Sequence, residues 1–184
     1  MSFVKPLLAF APWISLLIIA RVGLLRVKIG LAVALALSLV MGAMKLHRGI
    51  ILWVGLFFFS CATIAVAVFN DIWFVRHLGV LATAALALSA WAGVVVGKPF
   101  TLDYAREHTD PAVWNQPDFI KSNILVTSIW AAAFTANAVL AWGKMTRFLA
   151  PERAYEAVSY ALLVGAAAFT GWWQNRVRHN RRAP

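Results

Sequence analysis

Long apolar runs separated by short clusters of lysine and arginine dominate this sequence and most restrict how it can fold. Of the 184 residues, 62% are hydrophobic and 13% are charged, which is more apolar surface than a soluble domain of this length buries. The excess must face lipid, so the sequence predicts an all-α, polytopic transmembrane helical bundle. A β-barrel is disfavoured because its strands would alternate polar and apolar residues over short segments.

The apolar runs predict about six membrane spans in one integral membrane domain covering residues 1–184. The first two runs are short for a bilayer, which requires about 20 helical residues, so either could be tilted, interfacial or re-entrant. Arg21 follows the first run where signal-peptide cleavage would need small residues, which predicts an uncleaved first helix. The predicted spans are residues 6–20, 29–44, 49–69, 78–97, 122–142 and 154–174.

The basic residues lie almost entirely between or beyond these runs. A net charge of +10 would favour nucleic acid in a soluble protein, but here it predicts membrane lipids as partners and no nucleic acid. If the N-terminus is inside, ten of the 17 Lys and Arg residues fall on the inner side. Because inner loops carry the excess of basic residues, we predict that both termini are cytoplasmic.

The sequence gives no sign of a metal or cofactor site. Cys61 is the lone cysteine, which rules out an intrachain disulfide and a Cys-based zinc site. Haem in a bundle is usually held between facing helices, whereas the four histidines lie in connections or in the C-terminal tail. They are His47, His77, His108 and His179.

The fifth predicted span carries a stripe of polar and aromatic residues. Its members are spaced 4, 3, 4 and 3 residues apart, so they share one helical face. Unpaired polar groups in hydrocarbon are costly, so the stripe should face the bundle interior. It either forms interhelical hydrogen bonds that fix the packing or lines a polar cavity or substrate path. The stripe consists of Asn123, Thr127, Trp130, Phe134 and Asn137.

A second polar group, Asn70, Asp71, Trp73 and Arg76, follows the third span. If a helix continues through it, these residues are close neighbours on the helix surface. They either anchor the chain at the membrane boundary or form a functional ion pair or proton relay, since ionisable residues near hydrocarbon are costly.

The connection between spans four and five, residues 98–121, holds four of the seven acidic residues. Pro99 suits the first position of a short helix, in which Phe100 and Tyr104 share one face, as in a helix lying on the membrane surface. We therefore predict a short interfacial helix here. The candidate contact residues of this connection are Lys98, Asp103, Tyr104, Arg106 and Trp114.

Small residues recur every four positions towards the end of the fourth span. Ser89, Gly93 and Gly97 would lie on one helical face, where small side chains let another backbone approach closely. We predict that this face packs against a helix rather than lining a pore.

Several short motifs spread over most of the chain share an order found in one protein family. They are residues 8–12, Asn70, Asp71, Lys98, Pro99, Trp114, Asn123, Trp130, Phe134 and Asn137. This order resembles the small bacterial inner-membrane proteins called intracellular septation protein A. The chain departs from that family in its longer acidic segment, residues 100–118, and its more basic tail. The resemblance implies a multi-span protein of the bacterial cytoplasmic membrane associated with envelope synthesis and division, and it supplies no catalytic residues.

These observations favour a non-enzymatic envelope protein that binds lipids, other inner-membrane proteins or a second copy of itself. The contacts would be the Gly93 and Gly97 face and the connection. The alternative is a small transporter or channel whose path is lined by the stripe of the fifth span and by Asp71 with Arg76. A weaker alternative is a lipid-modifying enzyme acting through Asp103, Glu107 or His108.

Overall fold

The computed structural model of the protein describes residues 10–20, 23–44, 49–107, 109–146 and 151–180. All regular secondary structure within these ranges is helical, which confirms the predicted all-α class. The helices are α1 (Ala11–Ile19), α2 (Leu24–Ala43), α3 (Ile50–Val68), α4 (Ile72–Val95), α5 (Thr101–Arg106), α6 (Pro117–Thr146) and α7 (Glu152–Asn180).

Among the described helices α2, α3, α4 and α6 are long and apolar enough to cross a membrane. This agrees with the predicted membrane class. The helix α7 has 29 residues but carries more polar residues and is not one of the four. The helix α1 has nine residues, or about 14 Å of helix, and residues 6–9 of the first predicted span lie outside the described part of the chain.

Several helices extend beyond the apolar runs that predicted them. The helix α4 begins at Ile72, and α6 runs from Pro117 to Thr146. The start of α4 is set by Asp71, whose carboxylate accepts a hydrogen bond of 3.1 Å from the Phe74 N–H. Hydropathy detects only the apolar part of such a helix, whereas capping residues outside that part decide where the helix begins.

The outer surface of the bundle is apolar. Phe57 is 74% exposed and Val95 is 84% exposed, although both lie on candidate spans. Leu31 and Phe59, in contrast, are completely buried. Within the apolar windows of the four candidate spans, between 33% and 39% of residues are buried inside the protein. Apolar exposure this extensive is what a lipid-facing surface requires.

The helices pack so that α4 and α6 form the central pair. The helix α3 packs against α2 and α4, α1 packs on α2, and both α5 and α7 pack on α6. Trp13 of α1 enters the core, with ring centroids 5.3 Å from Phe58 and 4.7 Å from Phe59. Large side chains of α1 and α3, which are not consecutive in the chain, therefore meet in the core of the bundle.

The glycines at the end of α4 build a turn. Gly97 has φ +73°, and its N–H donates to the Val94 carbonyl at 3.1 Å while the Lys98 N–H donates to the Gly93 carbonyl at 2.8 Å. This pair of bonds is a Schellman motif, which ends the helix and reverses the chain. Gly93 thus approaches the backbone of the following connection rather than that of another span.

Replacing Gly93 tests this close approach. A Cβ at Gly93 would lie 3.0 Å from the Lys98 carbonyl oxygen, whereas a Cβ at Gly165 would meet nothing within 4 Å. We expect Gly93→Ala to lower the free energy of unfolding by about 1–3 kcal/mol relative to Gly165→Ala, because the tight contact forces a backbone shift. The measurement is reversible unfolding in mixed detergent micelles. Equal effects of the two substitutions would show that the contact at Gly93 is unimportant.

Candidate functional site

The polar and aromatic stripe on α6 faces the bundle interior. Thr127 is completely buried, and Phe134, Asn137 and Asn123 are 3%, 5% and 9% exposed. Trp130 is partly buried. The alternation of three and four residues therefore identified the inward face of this helix.

The two buried amides of the stripe are hydrogen-bonded within α6. Asn123 Nδ2 donates to the Phe119 carbonyl at 2.9 Å, and Asn137 Nδ2 donates to the Ala133 carbonyl at 2.8 Å. Each amide group therefore has a protein partner one turn earlier in the helix. These two donors need no water to satisfy them.

Thr127 and Trp130 bond to neighbouring helices instead. The Thr101 hydroxyl of α5 donates to the Asn123 carbonyl at 3.0 Å and lies 2.9 Å from the Thr127 hydroxyl. Because Thr101 has one hydroxyl hydrogen, Thr127 is the donor in the second bond. Trp130 Nε1 donates to the Thr170 hydroxyl of α7 at 3.0 Å. The stripe thus fixes both α5 and α7 to α6.

An aromatic cluster fills the space beside the stripe. The Phe10 ring stacks on Trp130 at 5.7 Å and lies 6.1 Å from Phe100 and 6.0 Å from Phe134. These rings come from the residue before α1, the connection and α6. They occupy the interior at the middle of the stripe, where a continuous polar path would have to pass.

We expect the bond between Trp130 and Thr170 to contribute to stability. Trp130→Phe and Thr170→Val each remove one partner, and the double-mutant cycle should give a coupling free energy of about 0.5–1.5 kcal/mol. Unfolding of the four proteins in mixed micelles provides the measurement. A coupling of zero would mean that the stripe is not held by this bond, and the packing role would have to be withdrawn.

The group after the third span forms a tight turn. The last turn of α3, Ile64–Val68, is π-helical. Asn70 adopts the left-handed region with φ 51°, which asparagine tolerates better than most residues, and it accepts a hydrogen bond of 2.6 Å from Lys28 Nζ. The Asp71 carboxylate caps the beginning of α4. In the described part of the chain, this carboxylate is not paired with Arg76.

Aromatic side chains surround this turn on the protein surface. The Trp73 ring, which is 59% exposed, stacks on His77 with centroids 4.2 Å apart, and His77 lies 6.4 Å from Trp142. Exposed tryptophans of this kind are enriched at membrane boundaries. The arrangement agrees with an anchoring role for this group.

The connection after α4 is folded onto the bundle. Pro99 is completely buried, and Phe100 and Leu102 are 3% and 5% exposed, while Asp103 and Glu107 of α5 are exposed. The helix α5 is therefore amphipathic, and its apolar side packs against α6 rather than against lipid alone. A single sequence does not reveal this contact because Phe100 and α6 are distant along the chain.

The outer part of the connection is held by Trp114. Trp114 Nε1 donates to the Thr109 carbonyl at 3.0 Å, and the Arg106 guanidinium lies 5.6 Å from the centre of the Trp114 ring, which is a cation–π contact. Asp110 caps the short 3-10 turn Pro111–Val113 by accepting a bond of 2.9 Å from the Ala112 N–H. The connection thus has a defined structure between α5 and α6.

A cavity of about 390 Å³ lies between this connection, the end of α4 and the beginning of α3. Its lining includes the charged residues Lys98, Asp103 and Arg106, the N-cap Gly49 of α3 and the apolar residue Ile50. We had not predicted that the beginning of α3 reaches the connection. Gly49 carries no side-chain chemistry that would mark it, so no sequence pattern indicates this contact.

The electrostatics of α5 are set by partial burial. Burial raises the pKa of the Asp103 carboxyl above its usual range, Arg106 lowers this pKa in part, and Glu107 raises it further. Burial also raises the pKa of Tyr104, and the charges of Asp103 and Glu107 raise it further. The phenol is therefore neutral at physiological pH and is unsuited to act as a base.

The described residues do not bring together the acid–base group of the enzyme alternative. Asp103 lines the cavity, but Glu107 is exposed and is not part of the lining. His108 lies outside the described residues. In the described part of the chain no three His, Cys, Asp or Glu side chains are grouped so that they could hold a metal ion.

Comparison with protein families, curated proteins and solved structures gives no match for this chain. The resemblance to intracellular septation protein A therefore stays an expectation from the motifs. The function must be inferred from the residues and their geometry.

Proposed function

We propose that α7 also crosses the membrane and that, with the first predicted span, the chain has six spans. At one end of α7, Trp173 Nε1 donates to the Ser122 hydroxyl at 2.7 Å. At the other end, Glu156 forms an ion pair of 2.7 Å with Lys144. Ser122 and Lys144 are about 33 Å apart along α6, which matches a hydrocarbon core of about 30 Å. Because α7 is bonded to α6 at both ends of this length, α7 crosses the membrane if α6 does.

The orientation follows from the basic residues. The end of the bundle that carries the connection has Lys98, Arg106 and Lys121, and the excess of Lys and Arg in the sequence falls on this side. We propose that this end faces the cytoplasm of a bacterial cell and that both termini lie there. The turn at Asn70 would then face the opposite side of the membrane.

Labelling of single cysteines tests this topology. In a Cys61→Ala background, we expect Asp110→Cys and Asn175→Cys to react with a membrane-impermeant maleimide only in inverted membrane vesicles. Arg153→Cys should react only in right-side-out vesicles, because it lies between α6 and α7. These three positions are exposed. Labelling of Asn175→Cys and Arg153→Cys from the same side would contradict a crossing by α7.

We propose that the protein acts without catalysis, by binding lipids, other inner-membrane proteins or a second copy of itself at the end that carries the connection. The observation that carries this proposal is the folded connection, which encloses a cavity lined by Lys98, Asp103 and Arg106. The association with envelope synthesis and division is taken from the resemblance to intracellular septation protein A. No nucleic-acid partner is proposed.

The packing of the stripe supports binding over transport. Its amide nitrogens each donate to a carbonyl of α6, Trp130 bonds to Thr170, and the rings of Phe10 and Phe134 fill the adjacent space. The lining of the cavity at the connection includes no residue of the stripe. A transporter would instead expose Asn137 to water in at least one conformation.

A flux assay separates these functions. Purified protein reconstituted in liposomes should leave the leak of protons and potassium ions equal to that of protein-free liposomes. Asn137→Leu should not change this result, because the amide has no transported ion to bind. Leak above the protein-free value that is lost on Asn137→Leu would identify a path along the stripe and would overturn the proposal. Val139→Leu, at a position 67% exposed on the same helix, is the matched control.

A further inference from the structure

Arg106, which lines the cavity at the connection, carries an unsatisfied buried donor. The Nε atom of Arg106 is buried and has no hydrogen-bond acceptor among the described residues, and Arg106 lines the cavity. A buried donor on a charged group is costly when it is left without a partner. The Arg106 side chain is therefore not fully paired by the described residues, although its guanidinium also contacts the Trp114 ring at 5.6 Å.

Positive charge collects at the same cavity. Lys98 lines it together with Arg106, and α3 begins there at Gly49, which has no side chain to cap the helix. The first N–H groups of a helix carry partial positive charge and accept anionic partners. Asp103 is the single acidic residue in the described lining, so the two basic residues outnumber it. The balance of the described lining favours an anion.

The lining also has an apolar part. Ile50, Val96 and Leu102 line the cavity beside the basic residues. Val96, at the end of α4, is 68% exposed. Trp53, which lies about one helical turn after Ile50 in α3, is 67% exposed. An apolar surface therefore continues from the cavity onto the outside of α3 and α4. A water-soluble anion would leave this surface uncovered, whereas the acyl chain of a lipid would cover it.

We propose that this cavity binds one glycerophospholipid through its phosphate group. Lys98 and Arg106 make charge-assisted hydrogen bonds to the phosphate oxygens, and an acyl chain lies along Ile50 and Val96. This assignment rests on the proposed function and deepens it, because it names the ligand class of the cytoplasmic end. A lipid held at the connection becomes part of the surface that this end presents to its partners.

Native mass spectrometry of delipidated protein in a neutral detergent tests the assignment. The probes are dioctanoyl phosphatidylglycerol, dioctanoylglycerol and inorganic phosphate, which separate the contributions of phosphate and acyl chain. We expect one molecule of the phospholipid to bind with saturation, and neither the diacylglycerol nor millimolar inorganic phosphate to bind or compete.

Variants of the basic residues identify the site. Lys98→Gln and Arg106→Gln should each weaken phospholipid binding about tenfold. Lys121→Gln is the matched control, because it removes the same charge from the same end of the bundle at a residue that is exposed and outside the cavity lining. This control should bind as the wild type does. Helix content by circular dichroism establishes that each variant is folded.

Three results would overturn the assignment. If Lys121→Gln weakens phospholipid binding as much as Lys98→Gln does, the protein attracts anionic lipid in general. If the diacylglycerol binds as well as the phospholipid, the phosphate group is not recognised. If inorganic phosphate competes with the phospholipid, the ligand is a soluble anion. If Arg106→Gln does not fold, Lys98→Gln alone decides between these outcomes. If the phospholipid assignment fails and the liposomes show no flux, the proposed binding function still stands. Flux that is lost on Asn137→Leu would instead overturn the binding function.

Discussion

The need of buried polar groups for hydrogen-bond partners shapes much of this structure. Hydrocarbon offers no hydrogen bonds, so a polar side chain on a membrane helix either bonds within the bundle or reaches the head groups. The fifth predicted span follows this rule: Asn123 and Asn137 bond to carbonyls of α6, and Trp130 bonds to Thr170. Thr127 and Trp130 thus connect α6 to neighbouring helices, whereas the two amides bond within α6 itself.

The same constraint shapes the connection after α4. The Thr101 hydroxyl lies against Thr127 and the Asn123 carbonyl, so the start of α5 is drawn towards α6. The Schellman turn at Gly97 makes this reversal possible within a few residues. Glu107, just after α5, then remains exposed, while Lys98, Asp103 and Arg106 line the cavity. Local turn chemistry thereby determines where charge is concentrated at one end of the bundle.

The spans and the inward face of α6 could be predicted from the sequence, whereas the start of α4 and the cavity could not. Hydropathy locates spans because lipid selects apolar side chains, and the spacing from Asn123 to Asn137 reveals an inward face because a helix has a fixed period. The start of α4 at Ile72 depends on a cap by Asp71, which hydropathy ignores. The meeting of Gly49 with Arg106 depends on contacts between distant segments, for which neither residue carries a pattern. The sequence thus indicated Lys98, Asp103 and Arg106 as candidate contact residues, but that they line one cavity with Gly49 is visible only in the structure.

The turn between α3 and α4 bears on how the chain enters a bilayer. Phe69, Asn70 and Asp71 alone separate the two helices, so α3 and α4 form a helical hairpin that can insert as one unit, with few polar backbone groups to carry across. Lys28 at the start of α2 reaches this hairpin through Asn70. That contact joins residues 42 positions apart in the chain. It brings the beginning of α2 to the same end of the bundle as the turn of the hairpin, so one hydrogen bond links three helices.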